Sequence, residues 1–178
     1  NQFTIFTQKF HNSVAKSLIK FNGRIIKKDN NNYLVSFKSV TDAVLCAQKI
    51  HFQFKYVTPK FDPSSRKLNI ALSSGTPVTA KENIFEEAIT LATRMCDIIK
   101  ERFVITSEVN ALYEGENRNA TVDRESVRIL KATDEKFLNQ LMDFIEDKWH
   151  KPDFSVSYFS KSLGYSKSQL NRKLKNLT

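Results

Sequence analysis

Cysteine is scarce in this chain. It occurs twice in 178 residues, at Cys46 and Cys96, with no CxxC pair and no Cys/His cluster of metal-ligand spacing. Both thiols sit in apolar helical patterns, VLCAQKI and TRMCDII, where a buried free cysteine is the expectation. The three histidines, His11, His51 and His150, are scattered, so neither a metal nor a cofactor is expected. No apolar run approaches the roughly 18 residues of a membrane span, and no secretory signal opens the chain. A cytoplasmic protein with no membrane partner is therefore expected. Apart from the turn at Asp29-Asn30-Asn31-Asn32 there is no low-complexity tract, and there is no internal repeat. Acidic residues are missing from residues 1–9 and from residues 154–178. The chain starts at Asn1 and stops inside a helical pattern, which reads as a piece of something longer.

A hydrophobic content of 40% with 14 phenylalanines predicts a folded protein, and a charged fraction of 26% is ordinary. The net charge of +9 is unevenly spread. Residues 1–60 hold ten Lys/Arg against two acids, residues 61–133 ten against eleven, residues 134–153 three against six, and residues 154–178 five against none. Two basic regions thus flank a neutral-to-acidic middle. Such regions favour polyanions, although for residues 1–60 a solvated lysine-rich face is the favoured reading.

Phe10, Val14, Leu18 and Phe21 are spaced for a helix that Asn22-Gly23 closes. Two β-prone runs, Arg24 to Lys28 and Tyr33 to Phe37, flank the Asp/Asn cluster and read as a hairpin. Ser39 or Thr41 caps the next helix. Pro59, Pro63 and Ser64-Ser65 mark a loop, and Lys67 to Ser73 alternates as a strand. A helix follows from about Ile84 to Lys100, with Ile84, Ala88, Leu91, Met95 and Ile98 inward. Phe103 to Thr106 is a short buried strand, Ser107 to Tyr113 a short helix opened by a Ser cap, and Val127 to Leu130 a last strand. This alternation predicts an α+β sandwich of one mixed sheet. Residues 132–135 read as a linker, and Phe137 to Trp149 as an amphipathic helix.

The acid-free end reads as helix, tight turn, helix. Ser155 caps the first helix, Gly164 makes the turn, and Ser166 caps the second with Gln169 at the capping-box position. Leu163, Leu170 and Leu174 would face inward. Ser168, Asn171, Arg172 and Lys175 fall on one exposed stripe at i, i+3, i+4 and i+7. Arg172 can pair with a guanine edge and Asn171 with an adenine edge. Lys167, Lys173 and Lys175 are placed to reach phosphates, and the helix N-terminus can donate amides to one. The residues expected to contact double-stranded DNA are Lys167, Ser168, Gln169, Asn171, Arg172 and Lys175. The bland alternative is a small bundle whose basic face is merely solvated.

Residues of roughly 134–178 resemble the first helix-turn-helix of AraC-type transcription regulators, through Phe154-Ser155-Val156, Leu163-Gly164-Tyr165-Ser166 and Leu170 to Lys175. That family carries two such units, so the resemblance covers half of a reader and implies weak, salt-sensitive binding. Residues of roughly 10–110 resemble the class III adenylate and guanylate cyclase domain, through HNSVAKSLIKFNGRIIKKDNNNYLVSFKSVTDAVLCAQKI, LNIALSSGTPV, NIFEEAITLATRMC and FVITSEV. That resemblance implies a ferredoxin-like, cyclase-type mixed sheet, here without its first strand, and head-to-tail dimers. Two metal-binding aspartates belong to the family's chemistry. Residues 1–9 hold no acid, and Asn31 stands at the second aspartate position. The family's transition-state Asn and Arg align with Thr90 and Arg94. Catalysis is therefore not expected, and Arg94 is left as a residual anion or ligand site.

The reading is a cyclase-like domain over 1–131, a linker over 132–135 and half an AraC-type helix-turn-helix over 136–178. It implies a DNA-binding regulator with a catalytically silent sensing or dimerisation domain, a small-molecule or nucleotide effector, and a homodimer. The rivals are a cyclase completed by residues outside this chain, and a ligand or partner module whose tail never touches DNA.

Overall fold

The computed structural model describes residues 2–57, 67–75 and 85–178. Pro59, Pro63, Ser64-Ser65 and Ile84 lie outside the described residues. The chain alternates helix and strand: α1 (Gln2–Lys20), β1 (Arg24–Lys28), β2 (Tyr33–Ser36), α2 (Val40–Val57), β3 (Ile70–Leu72), α3 (Glu86–Ile98), β4 (Phe103–Thr106), α4 (Ser107–Glu116) and β5 (Arg128–Leu130). Three helices close it: α5 (Ala132–Lys148), α6 (Val156–Leu163) and α7 (Lys167–Leu177).

The expected single sheet is replaced, among the described residues, by two. β1 and β2 pair antiparallel, while β3, β4 and β5 form a parallel sheet in that order. The central strand β4 is buried at all four positions. Its side chains alternate between two cores, as a pleat with period two requires. Val104 joins Leu91, Met95 and Leu130 against α3 and α5, whereas Phe103 and Ile105 join Val44, Val109 and Tyr113 against α2 and α4. The flanking strands follow suit, with Ala71 on the first side and Ile70, Leu72 and Ile129 on the second. A third cluster, Val14, Leu18 and Cys46 with Tyr33, Val35 and Phe37, seats α1 and the hairpin on α2.

The hairpin forms where the Asp/Asn cluster places it, though its turn closes through the Asp29 side chain and not through positive φ. Asp29 Oδ1 accepts the N–H groups of Asn31 and Asn32 at 2.8 Å each, which holds its carboxyl below the ordinary value. α1 begins earlier than the Phe10 stripe suggests, because Phe6 extends it: its ring lies 6.5 Å from Phe10, and both rings meet Phe54 of α2. Ser39 caps α2 by accepting the Asp42 N–H at 3.2 Å. α4 is capped by Thr106 rather than Ser107, since the end of β4 turns the Thr106 hydroxyl onto the Val109 N–H at 3.1 Å. The residues expected as a linker, 132–135, make the first turn of α5. Cys46 is buried and Cys96 half-buried, and burial pushes each thiol up to about 11, so both stay protonated near neutrality. No helix among the described residues is long and apolar enough to cross a membrane.

Asn22, at φ 59°, takes the left-handed turn that ends α1, and Gly23 then hands its N–H to the Leu18 carbonyl at 2.8 Å. A Cβ on Gly23 would stand 2.9 Å from two carbons of the Phe37 ring and 3.0 Å from a Leu18 methyl. Gly23→Ala is expected to cost about 1–2 kcal/mol by overpacking, measured as a lowered urea midpoint. His51 of α2 lies against the Phe103 ring, centroids 5.5 Å apart. Burial, with help from Lys55, lowers its pKa from 6.5. The folded state thus favours neutral imidazole, and stability falls as pH drops below about 6.5, where the unfolded chain takes up the proton first. In His51→Gln the difference between urea midpoints at pH 7.5 and pH 5.5 should shrink.

Candidate nucleic-acid interface

The site is built on α5, α6 and α7. Ser155 Oγ opens α6 by accepting the Tyr158 N–H at 3.1 Å. Gly164 ends it at φ +73°, a conformation that penalises any Cβ. The Gly164 N–H reaches the Lys161 carbonyl at 3.3 Å and the Tyr165 N–H the Ser160 carbonyl at 3.1 Å, which together form a Schellman turn. Ser166 then opens α7 with a complete capping box: its Oγ accepts the Gln169 N–H at 3.2 Å, and Gln169 Oε1 accepts the Ser166 N–H at 2.9 Å.

The apolar side of this unit is immobilised. Leu170 and Leu177 are fully buried among Phe137, Leu138, Leu141 and Phe159, in the same cluster that contains Leu91, Met95 and Val104. Leu163, Tyr165 and Leu174 pack against it half-buried. The C-terminal turn of α7 is held by residues distant in sequence. The Lys100 N–H donates to the Leu177 carbonyl at 2.8 Å, Lys100 Nζ to the Lys175 carbonyl at 3.0 Å, and Arg128 Nη1 to the Asn176 carbonyl at 2.8 Å. Cations at that end also complement the helix dipole. Asn176 in turn donates to Asp134 at 3.3 Å.

The opposite side is open. Lys167, Ser168, Gln169, Asn171, Arg172 and Lys175 are all exposed and brought onto one helix. Gln169 is partly committed, its oxygen being used in the capping box. Lys173, expected to reach a phosphate, turns instead to the buried side. Its ammonium lies 5.4 Å from the Phe137 ring centroid and 5.2 Å from that of Tyr165, a cation–π seat on the buried side.

Arg94 is not a free anion receptor. Its guanidinium, 10% exposed, donates to Asn139 at 2.9 Å, Asp143 at 2.7 Å and Glu146 at 3.3 Å, tying α3 to α5. Two carboxylates already neutralise it, so an incoming anion would have to displace them. Asn31 sits exposed at the hairpin tip, and Thr90 is exposed on α3. Sequence reasoning missed Lys100, Arg128 and Asp134 as the anchor of α7, and no local motif around them signals it.

Comparison of the chain with protein-family models, with curated proteins and with solved structures gives no significant match.

Proposed function

We propose that the chain is a DNA-binding transcription regulator. In this reading α6 and α7 are the first helix-turn-helix of an AraC-type reader, and the α/β part is a catalytically silent, cyclase-like domain that dimerises or senses an effector. One observation carries it: α7 presents a continuous polar and cationic stripe, while its other face is locked into the core. Arg172 takes the guanine-reading role, Asn171 the adenine-reading role, and Lys167 and Lys175 the phosphates. Burial of Arg172 and Lys175 against the α/β part would favour the rival in which the tail never touches DNA, whereas both are exposed and only the apolar side of α7 packs there. The cyclase rival meets Asn31 and Thr90 where its chemistry needs a carboxylate and an amide.

A single unit makes few contacts, so specific binding calls for a second unit about 34–36 Å away, supplied by a homodimer or by further chain. The test is fluorescence anisotropy on random duplex DNA across a salt series. Log affinity should fall linearly with log salt concentration, as phosphate neutralisation requires. No binding even at low salt would overturn the reading.

A further inference from the structure

A cavity of about 690 Å³ opens between α2, the turn before β5, the start of α5 and the C-terminal end of α7. Its walls carry six cations, Lys55, Lys100, Arg102, Arg124, Arg128 and Lys131, against three acids, Glu101, Glu125 and Asp134. The middle of the chain is nearly neutral in sequence, and folding gathers five of its ten cations here beside Lys55 of α2. The acids are unevenly used. Glu101 and Asp134 both turn to Arg128, at 2.6 and 3.9 Å. Among the described residues, Lys100 Nζ and Arg102 donate to neutral oxygens, those of the Lys175 backbone and the Asn69 side chain. Asp123, which interacts with Lys55, is held by the Ser126 hydroxyl and the Glu125 N–H. Among the described residues, no carboxylate lies within ion-pair distance of Lys55, Lys100, Arg102, Arg124 or Lys131.

We propose that this cavity binds a small, multiply charged anion of the phosphate-ester or pyrophosphate class. A concave wall with excess positive charge concentrates such an ion and pairs with it from several sides. Asn176 of α7 forms part of the wall, and Lys100 both lines the cavity and holds the α7 carbonyls. The cavity is complete only with that turn docked, so the bound anion holds α7 down by linkage. This names the effector class for the regulator reading and rests on that reading only for its regulatory meaning. The site itself stands whether or not α7 reads DNA.

The probe is inorganic pyrophosphate, titrated calorimetrically into the full chain at low ionic strength. Saturable binding is expected, weakened about tenfold or more by Lys55→Gln with Arg124→Gln. Glu125→Gln should tighten it severalfold, a gain that misfolding cannot produce. Exchange of the Lys100 amide should slow on saturation. Arg172→Ala should leave pyrophosphate affinity unchanged, which separates this site from the DNA surface. Absence of saturable binding, unchanged affinity in the double variant, or weaker binding by Glu125→Gln would overturn the site. Unchanged or faster Lys100 exchange would overturn the coupling. Displacement of pyrophosphate by stoichiometric duplex DNA would overturn the small-molecule assignment and give the cavity to a DNA phosphate.

Discussion

Phe137→Ala is expected to lower the stability of the whole chain by about 3–5 kcal/mol, the usual cost of deleting a buried aromatic ring. Phe137 is 1% exposed and sits in the cluster that joins the β3–β4–β5 sheet to α5, α6 and α7. Its ring meets Tyr165 edge-on at 5.6 Å and lies beneath the Lys173 ammonium. Removing it leaves a void between the two parts and takes away the seat of the α6–α7 turn. Urea unfolding followed by far-UV circular dichroism and by amide exchange should show one transition, moved to lower denaturant by both probes. Separate transitions for the α/β part and for α6–α7 would contradict a shared core. Phe137→Leu, which keeps more of the volume, should cost clearly less.

Arg172→Ala should reduce affinity for a guanine-containing preferred site by about 10- to 100-fold, the 1–3 kcal/mol typical of a lost bidentate base contact. Preference at that base should relax, while affinity for random duplex changes little. Lys167→Ala should act differently, weakening binding to every sequence and reducing the salt slope by about one. Neither side chain is buried or hydrogen-bonded to the fold, so both variants should unfold like the parent. Anisotropy on paired preferred and scrambled duplexes reads both effects. Unchanged affinity and unchanged preference in both Arg172→Ala and Asn171→Ala would remove the DNA reading.

The contacts behind these effects differ in how far they reach along the chain. The Ser155 cap, the Gly164 turn and the Ser166–Gln169 capping box are contacts within six residues, and residue spacing alone calls for them. The Asp29–Asn32 hairpin turn is of the same kind. The exposed stripe on α7 follows from helical periodicity. Legibility fails where a contact spans the chain. Lys173 reads as one more phosphate contact until Phe137, 36 positions earlier, is seen beneath it. Arg94 reads as an open anion site until α5 places Asp143 and Glu146 against it.

The sequence by itself determined most of the elements, the caps and turns at Ser155, Gly164, Ser166 and Asp29, and the polar side of α7, because hydrogen bonds to near neighbours and a 3.6-residue period need no partner from elsewhere. The start of α1, the Thr106 cap and the first turn of α5 escaped it. Only the tertiary structure decided that the strands divide into an antiparallel hairpin and a parallel sheet. It alone placed α5 to α7 in one core with that sheet, and gathered cations from α2, the α3–β4 turn, the turn before β5, β5 itself and the N-cap of α5 around one cavity. Burial and charge pairing depend on which surfaces meet, and residues far apart in the chain carry no local mark of their future neighbours.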